Sequence, residues 1–394
     1  MPEGTLSALD DYRADLASQL AVLDSLGLRR RLRSARGLDL TSNDTLGLAG
    51  HAHVVEAMRR ALASEPAGAG GSRLLRGERP AFARLEQRLA GFCGTPAALL
   101  FASGYAANTG LLPCLMGPDD LALSDAQNHA SLIDGLRLSG ARRLAYPHQD
   151  LQALEQALEL PRRGRAFVVT ESLFGMDGDL TPLVELQDLA ERHDALVVVD
   201  EAHATGLFGP RGAGRVEELG LRERVLATVH TGGKALGSAG AWVAGPAELI
   251  ELLVNRARPF VFTTAPLPVL AAALEAGLDL IEREPTRRIE LRRKSRLLRD
   301  ALARAGVVAG GHAHIVPLQV GDNASAVALQ EALYADGFDA RAIRPPTVPL
   351  GTARLRVSVR FPLADEDLLR FADLAGRRMA ELGLVPVVGQ DAGA

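Results

Sequence analysis

Lysine is almost missing from this chain. Of 394 residues only Lys234 and Lys294 carry a side-chain amine, against an abundance of arginine. Lys294 lies in the charged stretch 287–299, which reads as a solvated helix face, whereas Lys234 lies among glycine and alanine. Cysteine is as scarce: Cys93 and Cys114 are too few for a disulfide framework and share no metal-ligand spacing, so no metal is expected. No apolar run reaches the ~20 residues of a membrane span. The start, Met1-Pro2-Glu3-Gly4, has neither a basic region nor an apolar run after it, so no secretory signal is expected and a cytoplasmic location is. A net charge of −4 gives no electrostatic case for nucleic acid or an anionic membrane as partner.

What remains is the composition of a globular protein, 47% hydrophobic and 23% charged, long enough for more than one domain. Residues 5–33 carry helical periodicity through Leu6, Leu9, Tyr12, Leu16, Leu20, Leu23 and Leu26, ending in Arg29-Arg30-Arg31-Leu32-Arg33. From Leu85 onward helical stretches such as 150–160 and 183–193 alternate with apolar strand candidates at 99–101, 121–123, 142–146, 166–170, 196–199, 225–229 and 241–244. That alternation predicts an α/β fold with a large, mostly parallel seven-stranded sheet covered on both faces. Near Glu282 the texture changes. An arginine-rich helix over 285–305 leads to strands at 315–320, 340–343 and 355–359 and a helix over 365–382. The expected division is an N-terminal helical segment (1–40), a large domain (41–282) and a smaller α+β domain (283–394), with a frayed tail at 389–394.

The strongest local signal is Asp200-Glu201-Ala202-His203, closing the apolar run Leu196 to Val199, followed by Lys234 in Thr231-Gly232-Gly233-Lys234. A carboxylate at one strand end and an amine at a neighbouring one can hold the two ends of a small electrophilic cofactor, and pyridoxal phosphate (PLP) needs that pair. Taken singly, Asp200 reads equally as a cap or turn residue. The glycines before Lys234 suggest a P-loop, but the Ser or Thr after the lysine and the spaced first glycine are absent. Gly68-Ala69-Gly70-Gly71 is not preceded by a strand, which argues against a dinucleotide site. Ser103-Gly104-Tyr105 opens a helix pattern and presents free N–H groups, a natural phosphate cradle. His129, in Asn128-His129-Ala130-Ser131, is either a helix-start residue or a ring able to stack on a pyridine.

Ser42-Asn43-Asp44, Gly70-Gly71-Ser72-Arg73, Ser103-Gly104-Tyr105, Asn128-His129-Ala130-Ser131, Glu171-Ser172, Met176-Asp177-Gly178-Asp179, the Asp200 and Lys234 motifs and Arg354 occur in one order over nearly the whole chain. In that order they resemble the α-oxoamine synthases, which are fold-type I PLP enzymes. Gly321-Asp322-Asn323, Ile343-Arg344-Pro345-Pro346-Thr347 and Gly351-Thr352-Ala353-Arg354-Leu355-Arg356 are most similar to the branch that condenses L-alanine with a pimeloyl thioester in biotin synthesis.

The resemblance implies roles residue by residue. Lys234 is the Schiff-base lysine and then the base at the substrate Cα. Asp200 pairs with the pyridine nitrogen, His203 bonds the ring oxygen, and His129 stacks on the ring. Gly104, Tyr105 and Thr231 hold the phosphate, with Thr264 reaching the phosphate of a second subunit in a homodimer. Ser172 lies near the substrate end of the cofactor. Arg354, assisted by Asn43, clamps the amino acid carboxylate, and Arg31 meets an acyl-chain carboxylate. The acyl partner is a thioester of CoA or of an acyl carrier protein. Other readings are a glycine or serine C-acyltransferase, a secondary-metabolism condensing enzyme, and a non-catalytic relative. Two positions depart from the family pattern: Thr45 replaces a tyrosine and Phe82 a histidine, and both bear on acyl-donor contacts.

Overall fold

The computed structural model describes residues 7–384, so the tail expected at 389–394 lies outside the described residues. Twelve strands occur in chain order among them. β1 is Leu38–Asp39, β2 Ala97–Phe101, β3 Leu121–Asp125, β4 Arg142–Tyr146, β5 Ala166–Glu171, β6 Ala195–Asp200, β7 Ala227–Thr231 and β8 Ala241–Gly245. β9 is Ile315–Gly321, β10 Phe338–Asp339, β11 Arg341–Ile343 and β12 Ala353–Ser358.

β2 to β8 form one seven-stranded sheet in the order β2-β8-β7-β6-β5-β3-β4. Only β8 runs against the others, pairing antiparallel with both β2 and β7. Side-chain alternation explains why both faces are covered. Val169, Val198 and Val229 enter one apolar cluster with Leu111 and Leu112 of the helix Gly104–Leu115. Val168, Val197 and Val199 enter another with Leu186 and Leu189 of the helix Leu183–Arg192. These valines are fully or almost fully buried, and each such side chain stabilises the fold by about 1.5–3 kcal/mol.

β11, β12 and β9 make a second, antiparallel sheet, against which the helix Asn323–Ala335 lies, and the helix Asp365–Glu381 packs on that helix and on Thr286–Arg304. β1 pairs parallel with β10, so the segment before Leu40 joins the C-terminal part of the chain. Among its described residues, the periodic stretch at 5–33 is helical over Ala8–Ser25. Gly27 takes φ +63° just after it, a left-handed conformation that glycine adopts without strain and that ends a helix. None of that helix is buried, and Leu9, Tyr12, Leu16, Leu20 and Leu23 stay exposed. Among the described residues no helix is long and apolar enough to cross a membrane.

Candidate active site

In a parallel sheet the side chains at the carboxyl ends of the strands face a common crevice. Asp200 ends β6 and Glu171 ends β5, and the two are register partners. Asp200 falls on the same face as Val198, the face covered by the helix Gly104–Leu115. Asn108 of that helix donates from Nδ2 to Asp200 Oδ2 at 2.7 Å, and the Ala202 N–H donates to Oδ1 at 2.9 Å. Thr231 ends β7, and the chain then turns through Gly232 and Gly233 to Lys234. The turn is closed by backbone bonds from Gly232 to Gly240, Ser238 to Gly232 and Gly237 to Lys234, each 2.9 Å. A Cβ at Gly232 would sit 2.3 Å from Leu274 and 2.6 Å from the Ala239 oxygen, so the turn needs glycine there.

Lys234 faces the crevice and keeps some accessible surface, but its amine is enclosed by protein. Burial holds the amine below the usual lysine range, with Asp200 and Glu171 opposing that shift and Arg356 adding to it. Glu171 is pushed the other way, above the usual carboxylate range, by burial and by Asp200. Its Oε1 accepts the His129 N–H at 2.7 Å. His129 caps the helix Ala130–Ser139; its Nδ1 accepts the Ser131 N–H at 3.2 Å and lies 2.7 Å from Ser131 Oγ. Burial lowers its basicity, Asp200 raises it and Lys234 lowers it, so the ring stands within electrostatic reach of both.

His203 is held neutral, well below the ordinary histidine range, by burial and then by Lys234 and Arg356. Its Nδ1 is buried and has no hydrogen-bond partner. Gly175 makes room for the ring, since a Cβ there would fall 2.4 Å from His203 Nε2. Ser172 donates to Glu201 Oε2 at 2.5 Å, and Glu201 is also held by the N–H groups of Arg215 (3.1 Å) and Val216 (2.6 Å). Thus Ser172 is committed to a buried carboxylate that burial pushes up to about 7.

At the other side of the crevice, Gly104 and Tyr105 open the helix Gly104–Leu115, which Ser103 caps by accepting the Ala106 N–H at 3.2 Å. The first N–H groups of a helix have no intrahelical acceptor. A Cβ at Gly104 would stand 4.0 Å from the Thr231 Cβ, so the helix start and the end of β7 adjoin. The Tyr105 hydroxyl turns to Asp134.

Two arginines on β12 separate in role. Arg354 and Arg356 lie two residues apart on one strand face, and both are buried. Arg354 is ion-paired with Asp177 and bonds the Thr352 carbonyl (2.9 Å) and hydroxyl (3.0 Å). Arg356 meets only neutral acceptors among the described residues: the Gly175 carbonyl, Ser358 Oγ at 2.8 Å and Asn43 Oδ1 at 3.0 Å. It is also the arginine that perturbs Lys234 and His203. Arg356 is therefore the guanidinium of the crevice that sequence reasoning passed over, and its signal was the two-residue spacing from Arg354. Asn43 belongs with it.

Thr264 lies exposed beside Phe262, which is 72% exposed, and is not part of the cluster within this one chain. Arg31 is exposed as well, with Asp24 at 4.0 Å as its nearest ionic partner. Phe82 is fully buried under the Arg73 guanidinium, 4.8 Å from its ring centre, so this departure sits in the core. Thr45 is buried too, and its hydroxyl has no partner.

The residues present suit PLP. The crevice offers a buried amine, a buried carboxylate held by amide donors, a partnerless imidazole nitrogen and a helix N-terminus beside a threonine.

The model for "Aminotransferase class I and II" matches residues 35–373. The 8-amino-7-oxononanoate synthase of Anaeromyxobacter dehalogenans is 47% identical over 359 residues, covering 87% of this chain and 90% of that protein. Among solved structures, SPT with PLP superposes with a TM-score of 0.88 at 28% identity, covering 96% of this chain and all of the other. The 8-amino-7-oxononanoate synthase of Francisella tularensis superposes with a TM-score of 0.76 at 25% identity, covering 88% and 98%. The fold is that of the fold-type I PLP enzymes, and the chain belongs to the aminotransferase class I and II family.

Proposed function

We propose that this protein is an 8-amino-7-oxononanoate synthase, which condenses L-alanine with a pimeloyl thioester of CoA or an acyl carrier protein. The observation that carries the reading is the buried Lys234 amine within electrostatic reach of Asp200 at the carboxyl ends of adjacent parallel strands. Identity to a synthase of that name over most of both chains supports the substrate pair.

PLP, when bound, supplies an electron sink for negative charge on the amino acid Cα. Lys234 takes the Cα proton there, and its depressed basicity suits a base working near neutral pH. Asp200, fixed by Asn108 and Ala202, keeps the pyridine nitrogen protonated. His203 and His129 hold the ring, and Gly104, Tyr105 and Thr231 hold the phosphate. Ser172 acts at the substrate end through its bond to Glu201. Arg356, steadied by Asn43, binds the alanine carboxylate, while Arg354 fixes the Asp177 turn beside it. The Cα electron pair forms a bond to the thioester carbonyl carbon and the thiol leaves. The carboxylate departs as CO2, and Lys234 returns a proton to the carbon.

The working unit in this reading is a homodimer in the cytoplasm. The exposed apolar residues of the helix Ala8–Ser25, with Leu75 and Phe262, support a second copy as their cover. Thr264 then reaches the partner's phosphate, and Arg31 meets the distal carboxylate of the acyl chain. Residues 41–282 serve as the cofactor domain, 283–394 as the smaller one and 1–40 as the arm. Mass spectrometry of products from alanine, glycine and serine with a panel of acyl thioesters tests the reading. A nine-carbon amino ketone from alanine and pimeloyl thioester is expected. Product from glycine or serine with none from alanine would assign the chain to another condensing activity.

A further inference from the structure

The helix Thr286–Arg304 carries Arg288, Arg292 and Arg296 at four-residue spacing, with Arg299 three further on. That spacing keeps successive side chains on neighbouring parts of one helix surface. All four line a cavity of about 150 Å³ whose other walls include Leu207, Phe208, His312 and His314. Among the described residues no carboxylate lines it.

The arginines are anchored mainly by carbonyl oxygens, which satisfy N–H groups without neutralising charge. Arg288 donates to the oxygens of Ile281 (2.7 Å) and Pro210 (2.9 Å), Arg292 to that of Leu207 (2.9 Å) and Arg299 to that of Ala313 (2.7 Å). The carboxylate nearest to them is Glu218, 3.8 Å from Arg292 and bound more closely by Arg215. Burial depresses the basicity of Arg288 and Arg292 depresses it further, with Glu217 opposing; burial depresses that of Arg299, with Asp300 opposing and Arg296 adding to the shift. His314 is 3% exposed, and its buried Nδ1 has no partner. Four guanidiniums meet at one partly desolvated cavity whose lining holds no carboxylate, and among the described residues the one carboxylate within ion-pair distance of them is Glu218 at 3.8 Å; the excess positive charge is costly there, and an anion relieves it. Guanidinium forks match tetrahedral oxyanions. The volume is well below the ~300–1,000 Å³ of pockets that hold larger organic ligands.

We propose that this cavity is a second anion site, which binds inorganic phosphate or the phosphate end of a small monoester. The bound oxyanion ties the helix Thr286–Arg304 to the Leu207–Phe208 turn, four residues beyond His203. The site is separate from the phosphate cradle at Gly104 and does not depend on the condensing activity.

The test is isothermal titration of the full-length protein, loaded with PLP so that the Gly104 cradle is filled, with inorganic phosphate at low salt. Glycerol phosphate serves as the second titrant. Saturable one-site binding of either is expected, weakened at least about tenfold in Arg292→Gln/Arg296→Gln. Both replaced residues are exposed, so the fold and the phosphate-free activity stay unchanged. Phosphate also raises the melting temperature of the parent protein but not of the variant. Preference between the titrants assigns free phosphate or ester as the ligand. No saturable binding of either, or equal binding by the variant, overturns the proposal. Condensing activity is read separately, so its absence leaves this outcome distinct.

Discussion

Arg356 donates from Nη2 to Oδ1 of Asn43 at 3.0 Å, joining β12 to the loop that follows Leu40. Two residues earlier Arg354 is spent on Asp177. The pair therefore divides into a guanidinium with neutral partners, which the proposed function assigns to the substrate carboxylate, and one ion-paired with the neighbouring turn.

Replacing Arg356 with Gln is expected to raise KM for alanine and lower kcat/KM about 10–100-fold, the loss of one charge-assisted bond worth ~1.5–3 kcal/mol. Arg354→Gln should act mainly on stability, by freeing Asp177. Steady-state kinetics with varied alanine separates them, and a larger KM effect at Arg354 would reverse the assignment.

His148 stands between Asp125 (2.8 Å from Nδ1) and Asp179 (2.5 Å from Nε2), so both ring nitrogens face carboxylates. Burial alone would lower its pKa, but the two carboxylates outweigh burial and raise it to about 9. A raised folded-state value means the charged ring contributes stability in full below its ordinary value near ~6.5, and that contribution is lost as pH rises through about 9. The parent protein should lose on the order of 2–3 kcal/mol of stability across that window relative to His148→Gln. Urea unfolding at both ends of it measures the difference. Equal pH profiles for the two proteins would contradict the account.

Gly175→Ala places a Cβ 2.4 Å from His203 Nε2 and 2.9 Å from its Cδ2, so the ring must shift. PLP affinity is expected to fall about tenfold or more, a shift of at least ~1.4 kcal/mol. Cofactor titration followed by absorbance checks it, and unchanged affinity would remove His203 from the cofactor's surroundings.

Much of this was legible in the sequence because the sheet is parallel. Each buried strand is a continuous apolar run, and the residue that closes it faces the crevice, so Asp200 and Lys234 could be paired from their flanks alone. Strand β4 agrees with its expected bounds residue for residue. At β7 the apolar stretch misleads: Val225 and Leu226 belong to the approach, and pairing starts at Ala227. The choice between Arg354 and Arg356 was hidden because a two-residue period sends both side chains to one face. Their partners separate them, Asp177 for Arg354 and Gly175 and Asn43 for Arg356, and all three are distant in sequence. His148 was missed for a similar reason, since its two carboxylates come from β3 and from the turn near Asp179. Thr264 and Arg31 lie outside the cluster formed by a single chain, and their roles belong to the dimer proposal.

The most direct test of the central claim is the condensation rate of Lys234→Ala, with alanine and pimeloyl-CoA and product read by mass spectrometry. Loss of the group that moves the Cα proton is expected to cost at least about 10²–10⁴ in rate. Retention of full condensation activity would contradict the assignment of Lys234 and the mechanism built on it.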